Sequence, residues 1–473
     1  AFGIDQYAQG TDAAASVTND APLTVAATAN ADGGAFATAY ADAFGIWQDV
    51  EAVSYAYAYA DFVSIPPPGE PLPDTGTFGV VPAGPASATV ENNAAIDVTA
   101  NATAVAAEGP AKAMVGGFTA TTTTTAGTLV YATGVQGIWQ RVFGSEASAS
   151  VTNSADGSIT VAANADATGV DGARAAAFGH GVLQFASAVE YAYVGEFPQP
   201  HQVGPTPPDT FTFSFTPTGD VDVTLVNDGT ISLTAGANAV AGTGAAIASV
   251  AGQTEGFFNA VAQLPAAGVV QYGHGLDVTL AVENNGSLTV DANAAADGGT
   301  AAVAAASGAG ILQLAGAFGW TATATQTPQA SEPPVFSDPI YTVTPGGTVS
   351  VSVTNTDTID VSVTADANAG AAATATANAI GVGQLALGED WDATLINNGD
   401  LLVSAVANAT ATGTAVAHAS AVGYGLVASG GVLTVVNTDT IDVTADAGAT
   451  GTASANAVGI SAVGTVLGTG VGA

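Results

Sequence analysis

The 473-residue chain sets 40 Asp and Glu against three Lys and Arg, a formal net charge of −37, so nothing in it can neutralise a run of phosphates and nucleic-acid binding is excluded. It has no cysteine, which removes disulfide frameworks and thiolate metal sites and leaves repetition and hydrogen bonding to hold a fold together. Hydrophobic residues make up 48% but aromatic ones only 7%, so the core is expected to be narrow and packed from small side chains, and no apolar run approaches the ~20 residues of a membrane-spanning helix.

Self-similarity organises the chain. A unit of the form V-x-N-x-x-x-[IL]-x-V-x-A-x-A-x-A, a Gly/Ala turn and A-x-A-x-A-x-G-[IV]-x-Q begins near Asn19, Asn92, Asn153, Asn227, Asn284, Asn355, Asn397 and Asn437. Each unit ends on a short signature: GIWQ at 45–48 and 137–140, GVLQ at 181–184, GVVQ at 268–271, GILQ at 310–313 and GVGQ at 381–384, degrading to GYGL at 423–426 and GISA at 459–462. Alternation of apolar and polar residues predicts two or three short strands per unit, and no stretch sustains helical periodicity. The fold class is therefore all-β, a β-solenoid of the parallel β-helix kind built from about eight units of ~40 residues in one continuous shaft over 1–473.

Insertions interrupt the period at a recurrent place, at 49–89, 186–220 and 319–348, and a further one, 115–134, lies inside a unit. YAYAYADF followed by PPPGEPLPDTG, EYAYVGEF followed by PQPHQVGPTPPD and FTFSF, and WTATATQTPQASEPPVFSDP each read as an alternating strand, a Pro-rich tip and a returning strand. They are expected to be β-arms or flaps, with Pro suppressing edge pairing.

NNGSLTVDANA at 284–294 carries the N-x-G-x-[IL]-x-[VA]-x-A style in which the chain resembles secreted bacterial β-solenoids of the filamentous-haemagglutinin and autotransporter-passenger type. The resemblance implies an extracellular or cell-surface location. Longer units, more Ala and the Pro-rich arms depart from that pattern.

The repeated Asn is read as a structural ladder, because a turn residue that tolerates left-handed geometry is needed once per coil and stacked amides extend along an axis. Trp47 and Trp139, both in GIWQ, admit two readings: a carbohydrate-stacking or interface role, and a ring covering the corner where an arm leaves the shaft. Tyr55, Tyr57, Tyr59, Tyr191 and Tyr193, with Phe211, Phe213 and Phe215, each give one strand face an aromatic character that needs a partner. Asp20, Asp166, Asp297, Asp357 and Asp366 supply the oxygen ligands Ca²⁺ takes, but the glycine-rich calcium nonapeptide is absent and solvated turn Asp is the commoner explanation, so no cofactor is expected, with Ca²⁺ binding at these Asp the alternative. His180, His201, His274 and His418 show no metal-ligand spacing, and the two G-H-G occurrences at 180 and 274 suggest tight turns.

No nucleophile elbow, phosphate-binding loop or H-E-x-x-H occurs, and the three bases, Lys112, Arg141 and Arg174, are dispersed, so no enzyme is expected. The Thr runs at 119–125 and 321–325 do not recur at one position of every unit, so they form no flat Thr array. The function that fits is an extracellular structural protein that assembles with copies of itself into a fibre or surface layer, by head-to-tail stacking and arm contacts. FGIDQ at 2–6 and VGIS at 458–461 stand in the same phase of the unit, as in a head-to-tail block or an excerpt of a longer solenoid. The alternative is a cell-surface adhesin engaging a glycan or host surface through Trp and Tyr patches.

Overall fold

The computed structural model describes residues 1–59, 75–116, 118–124, 127–196, 209–250, 254–257, 260–263, 265–327, 335–336, 340–428 and 431–464. Strand accounts for 81% and no helix forms among the described residues, so the helix propensity of Ala is overridden. The reason is periodicity: on a helix, alternating Ala and Thr or Asn would scatter around the cylinder, whereas a strand sends every Ala to one side.

The chain visits three curled parallel sheets in turn. An eight-stranded first sheet runs from Ala13–Asn19 through Pro85–Asn92, Glu146–Asn153 and on to Val432–Asn437. An eight-stranded second sheet takes the longer strands, from Leu23–Gly33 and Ala95–Ala106 to Ile441–Ala449. The third has thirteen strands and includes the end signature. Early in the chain each pass through the third sheet is split, as Ala37–Ala41 then Phe44–Glu51, or Gly172–Ala177 then Gly179–Ser187; later passes are single strands, Ala301–Gly316, Ala372–Leu387 and Thr414–Ala428.

Register is kept without slip, Val17 opposite Val90, Val151 opposite Leu225, Ala165 opposite Ala237. The inward rows are small and buried: Ile96, Val98, Ala100, Ala102 and Ala104 in one strand of the second sheet, Ala111, Ala113 and Val115 in the strand that returns beside it. A buried methyl contributes about 0.8 kcal/mol, so an Ala core holds by number rather than by bulk.

The Gly of the end signature has a steric reason. A Cβ on Gly45 would meet Val98 Cγ2 at 2.9 Å and Ile96 Cγ2 at 3.0 Å and would overlap the Gly137 carbonyl oxygen. Gly45 thus lies against the core, and so does the next residue, Ile46, which is buried in the same cluster. Two consecutive inward residues reverse the alternation, so that Ala37, Ala39, Ala41 and Ala43 face inward before the step and Ile46, Gln48 and Val50 after it. Such a step bends a strand, and here it separates the part of the third sheet that lies along the second sheet from the part that faces the first.

The arms do not stand alone. Val53–Tyr59, Thr75–Pro82, Val189–Glu196, Asp209–Pro217 and Phe318–Thr327 pair successively in an antiparallel sheet, and both Val335–Phe336 and Ile340–Pro345 pair with the last of these. The Pro-rich tips at 60–74, 197–208 and 328–334 lie outside the described residues. The insertion at 115–134 contains the antiparallel hairpin Phe118–Thr124 and Gly127–Thr133. A second hairpin, Thr254–Phe257 with Ala260–Gln263, stands where the sequence reading assigns no insertion, because GFFNAVAQ keeps the surrounding Ala and Val content and offers no Pro to mark it.

Candidate functional site

All eight repeated asparagines fall in one row at the end of the first-sheet strands. Each donates its Nδ2–H to the Oδ1 of the next: Asn19 to Asn92 at 2.8 Å, Asn92 to Asn153, Asn153 to Asn227, Asn227 to Asn284 and Asn284 to Asn355 at 2.7 Å, then Asn355 to Asn397 and Asn397 to Asn437 at 2.8 Å. The second Nδ2–H of Asn92, Asn153, Asn227, Asn284 and Asn355 reaches a backbone carbonyl that opens the following second-sheet strand but one, such as Thr230 from Asn153. Six of the eight are buried at 0–1% exposure, so the row is satisfied internally and presents no amide to a ligand along its length.

A second ladder runs through the Gln of the end signature. Gln48 donates to Gln6, Gln140 to Gln48, Gln184 to Gln140, Gln271 to Gln184, Gln313 to Gln271 and Gln384 to Gln313, all at 2.7–3.0 Å. The other Nε2–H of Gln48, Gln140, Gln184, Gln271 and Gln313 binds the first-sheet carbonyl of Thr89, Ser150, Thr224, Ala281 and Ser352 in turn, and Gln6 binds that of Ser16. The signal was present, since Gln closes every intact G-[IV]-x-Q, but its carbonyl partners belong to a different sheet. Donation runs toward the following strand of its sheet in the Asn row and toward the preceding strand in the Gln row, so the two amide chains oppose each other. At Leu426 the Gln row ends. Tyr424, fully buried, reaches from two residues earlier to give its hydroxyl to Gln384 Oε1, and burial pushes that hydroxyl's pKa up.

Trp47 and Trp139 are register partners whose rings stack with centroids 3.6 Å apart. Trp139 is buried and packs with Leu183, Ala267, Val270 and Ala309, while Phe44 meets Trp47 edge-on. In the arm sheet the register sets Tyr57, Phe78, Tyr193 and Phe213 in one cross-strand row and Tyr55, Val80, Tyr191, Phe215 and Trp320 in the next. The aromatic strands the sequence left without a partner are therefore neighbours of one another. Tyr59 lies opposite Gly76, and Phe211 opposite Ala324. Phe215 is buried, its ring edge-on to His274, which anchors that row on the third sheet.

His180 and His274 do not sit in tight turns. Both are in strands and buried; Phe178 lies edge-on to His180, and the His274 Nε2–H donates to the Phe318 carbonyl at 2.8 Å. Burial lowers their pKa values to about 3 and about 4, so both rings are neutral near pH 7. His418 is exposed and His201 lies outside the described residues. The Asp side chains considered for Ca²⁺ are engaged across coils, Asp20 accepting from Asn93, Asp166 from Asn238, Asp297 from Asn368 and Asp366 from Asn408, while Asp357 accepts from Thr358. Among the described residues no three His, Asp or Glu side chains converge.

Two of the three bases are neighbours in space, and the third, Arg141, stands apart from them on another strand. Arg141 clamps Asp49 through Nε at 2.9 Å and Nη2 at 2.7 Å and reaches Glu51 at 2.6 Å, with Glu51 held above the usual carboxylate range by desolvation. Lys112 and Arg174, remote in sequence, are register partners on adjacent strands. No protein family, curated protein or solved structure matches the chain.

Proposed function

We propose that the chain is a β-solenoid shaft of about eight coils of ~40 residues, with arms, serving as a stiff extracellular structural element that assembles with copies of itself. The observation that carries this reading is the pair of side-chain amide ladders, Asn19 to Asn437 and Gln6 to Gln384, which tie each coil to the next through the interior. Such ladders, with parallel backbone pairing, resist bending and shear along the axis. They offer no reactive group.

The amides at the two ends of the Asn row support the assembly reading. Asn19 keeps an Oδ1 with no donor among the described residues, whereas Asn437 donates one N–H to the Asp439 carbonyl and has the other available. The flanking inner rows, with Val435 and Val443 only partly buried, are complementary in the same sense. A further coil of like kind, from a continuation of the chain or from a second copy, would extend every row, and a head-to-tail contact of that sort propagates rather than closes. The adhesin alternative gains less support at Trp47 and Trp139, whose ring faces are turned on each other.

Electron microscopy and sedimentation of the purified chain test this. Rods that lengthen with concentration are expected, and shortening on Val435→Lys, which sets a charge on the terminal inner row. Discrete single rods at all concentrations would overturn the assembly reading.

A further inference from the structure

The acids of this chain are spaced with care. Across the register pairs of all described strands, no carboxylate lies directly opposite another carboxylate: Asp97 faces Thr24 and Thr160, Glu91 faces Thr18 and Thr152, Asp366 faces Ala295 and Asn408. Like charges opposite each other in neighbouring strands are destabilising, which explains the avoidance. One like-charge pair breaks the rule, and it joins two of the molecule's three bases, Lys112 and Arg174. Their backbones are about 4.8 Å apart.

Both side chains face outward, since Ala111, Ala113, Ala173 and Ala175 on either side of them are buried. Neither has a carboxylate partner among the described residues; the one contact is Lys112 Nζ over the Tyr40 ring at 5.4 Å from its centroid. Forty acids were available to pair with them, so their isolation from carboxylates is a property of the placement. The other members of that row are neutral, Thr38, Ile247 and Val303. Beside the bases runs a row of Tyr40, Met114 and Ala176, and Tyr40 is 50% exposed. Phe36, at the preceding turn, is 67% exposed.

We infer that Lys112 and Arg174 form an anion-binding pair for the carboxylate of an acidic sugar, whose ring lies along Tyr40. Two cations on adjacent strands can each take one oxygen of a carboxylate, with Arg supplying a planar donor fork and Lys a point charge. The exposed Tyr40 ring adds an apolar flank of sugar size, which a bare inorganic anion would not use. Because the remaining surface is strongly negative, the site favours a single acidic unit or a chain terminus over a long run of charges; this is specificity by repulsion. The inference is independent of the assembly reading, since it concerns the side of the shaft and not its ends.

The experiment titrates the full chain with glucuronate, glucose and acetate, following amide shifts of residues 38–40, 111–114 and 173–176 by NMR on segmentally labelled protein. Glucuronate should shift both strands, glucose should not, and acetate should bind at least tenfold more weakly. Lys112→Ala and Arg174→Thr should each weaken glucuronate at least tenfold, and Tyr40→Ala should bring glucuronate down to the level of acetate. A second readout needs no ligand: Arg174→Thr relieves the like-charge contact, so its melting temperature should rise above that of the parent. Equal binding of acetate and glucuronate would show an adventitious anion contact only. Loss of self-association in Arg174→Thr without any glucuronate effect would mean that the pair meets a carboxylate of a second copy. Either result overturns the inference, as does a melting temperature that falls.

Discussion

Replacing Asn227 by Ala removes one link from the middle of the Asn ladder, and the structure sets its magnitude. Asn227 is fully buried, accepts from Asn153 at 2.7 Å and donates to Asn284 at 2.7 Å. The substitution leaves the Asn284 Oδ1 without its donor and one Asn153 N–H without its acceptor, each in a dry interior. An orphaned buried polar group costs about 1–3 kcal/mol, so the loss should be about 2–5 kcal/mol. Asn437→Ala removes a single link at an exposed position and leaves only the Asn397 Nδ2–H to be satisfied by water, for about 0.5–1.5 kcal/mol. Asn227→Asp should be worse than Asn227→Ala, because a carboxylate still accepts from Asn153 but cannot donate to Asn284 and introduces a buried charge. Urea unfolding followed by far-UV circular dichroism measures all three, with unchanged m-values as the sign that stability alone has moved. Equal midpoints for the substitutions at 227 and 437 would refute the argument that the interior ladder is a load shared by both neighbours.

Other substitutions follow the same geometry. Gly181→Ala places a Cβ 2.5 Å from the Gly268 carbonyl oxygen and 2.7 Å from Ile231 Cγ2, and should cost about 1–3 kcal/mol by urea midpoint, whereas Gly172→Ala meets only the Ala245 oxygen at 3.5 Å and should be neutral or slightly stabilising. Ala292→Leu, at a position with 0% exposure, should overpack the narrow core by about 1–3 kcal/mol; a wild-type midpoint would mean that the two facing sheets can part without cost. For pH, His180 and His274 have folded pKa values of about 3 and about 4 against 6.5 unfolded, so the unfolded chain takes up protons first and stability falls as pH drops below about 6.5, by about 1.4 kcal/mol per unit for each ring until its folded value is reached. Burial raises the carboxyls of Asp42, Glu51, Asp222 and Asp360, which opposes this trend at lower pH, so the measurement is the difference between parent and His180→Phe. The variant should show a shallower loss from pH 6.5 to 4.5, and an identical slope would show that His180 is not held neutral by burial.

Strand content, the placement of Asn227 and its seven counterparts in one row, and the inward course of Ala292 or Ala367 were legible in the amino-acid order, because a period of two and a fixed offset of Asn from the Ala rows are local properties of the chain. Three things were decided only by tertiary structure. The reversal at Gly45 and Ile46 depends on how closely Ile96 and Val98 approach from another sheet. The Gln ladder depends on carbonyls such as those of Thr224 and Ser352, which the fold brings to Gln184 and Gln313 from later in the chain. Lys112 and Arg174 stand apart in sequence and side by side in space because the strands that carry them pair in register although an insertion lengthens the chain between them. Alternation specifies which face of a strand is buried; which strands become neighbours is set by the parallel pairing within the curled sheets, and it is neighbours across strands that determine where amides pair and where charges meet.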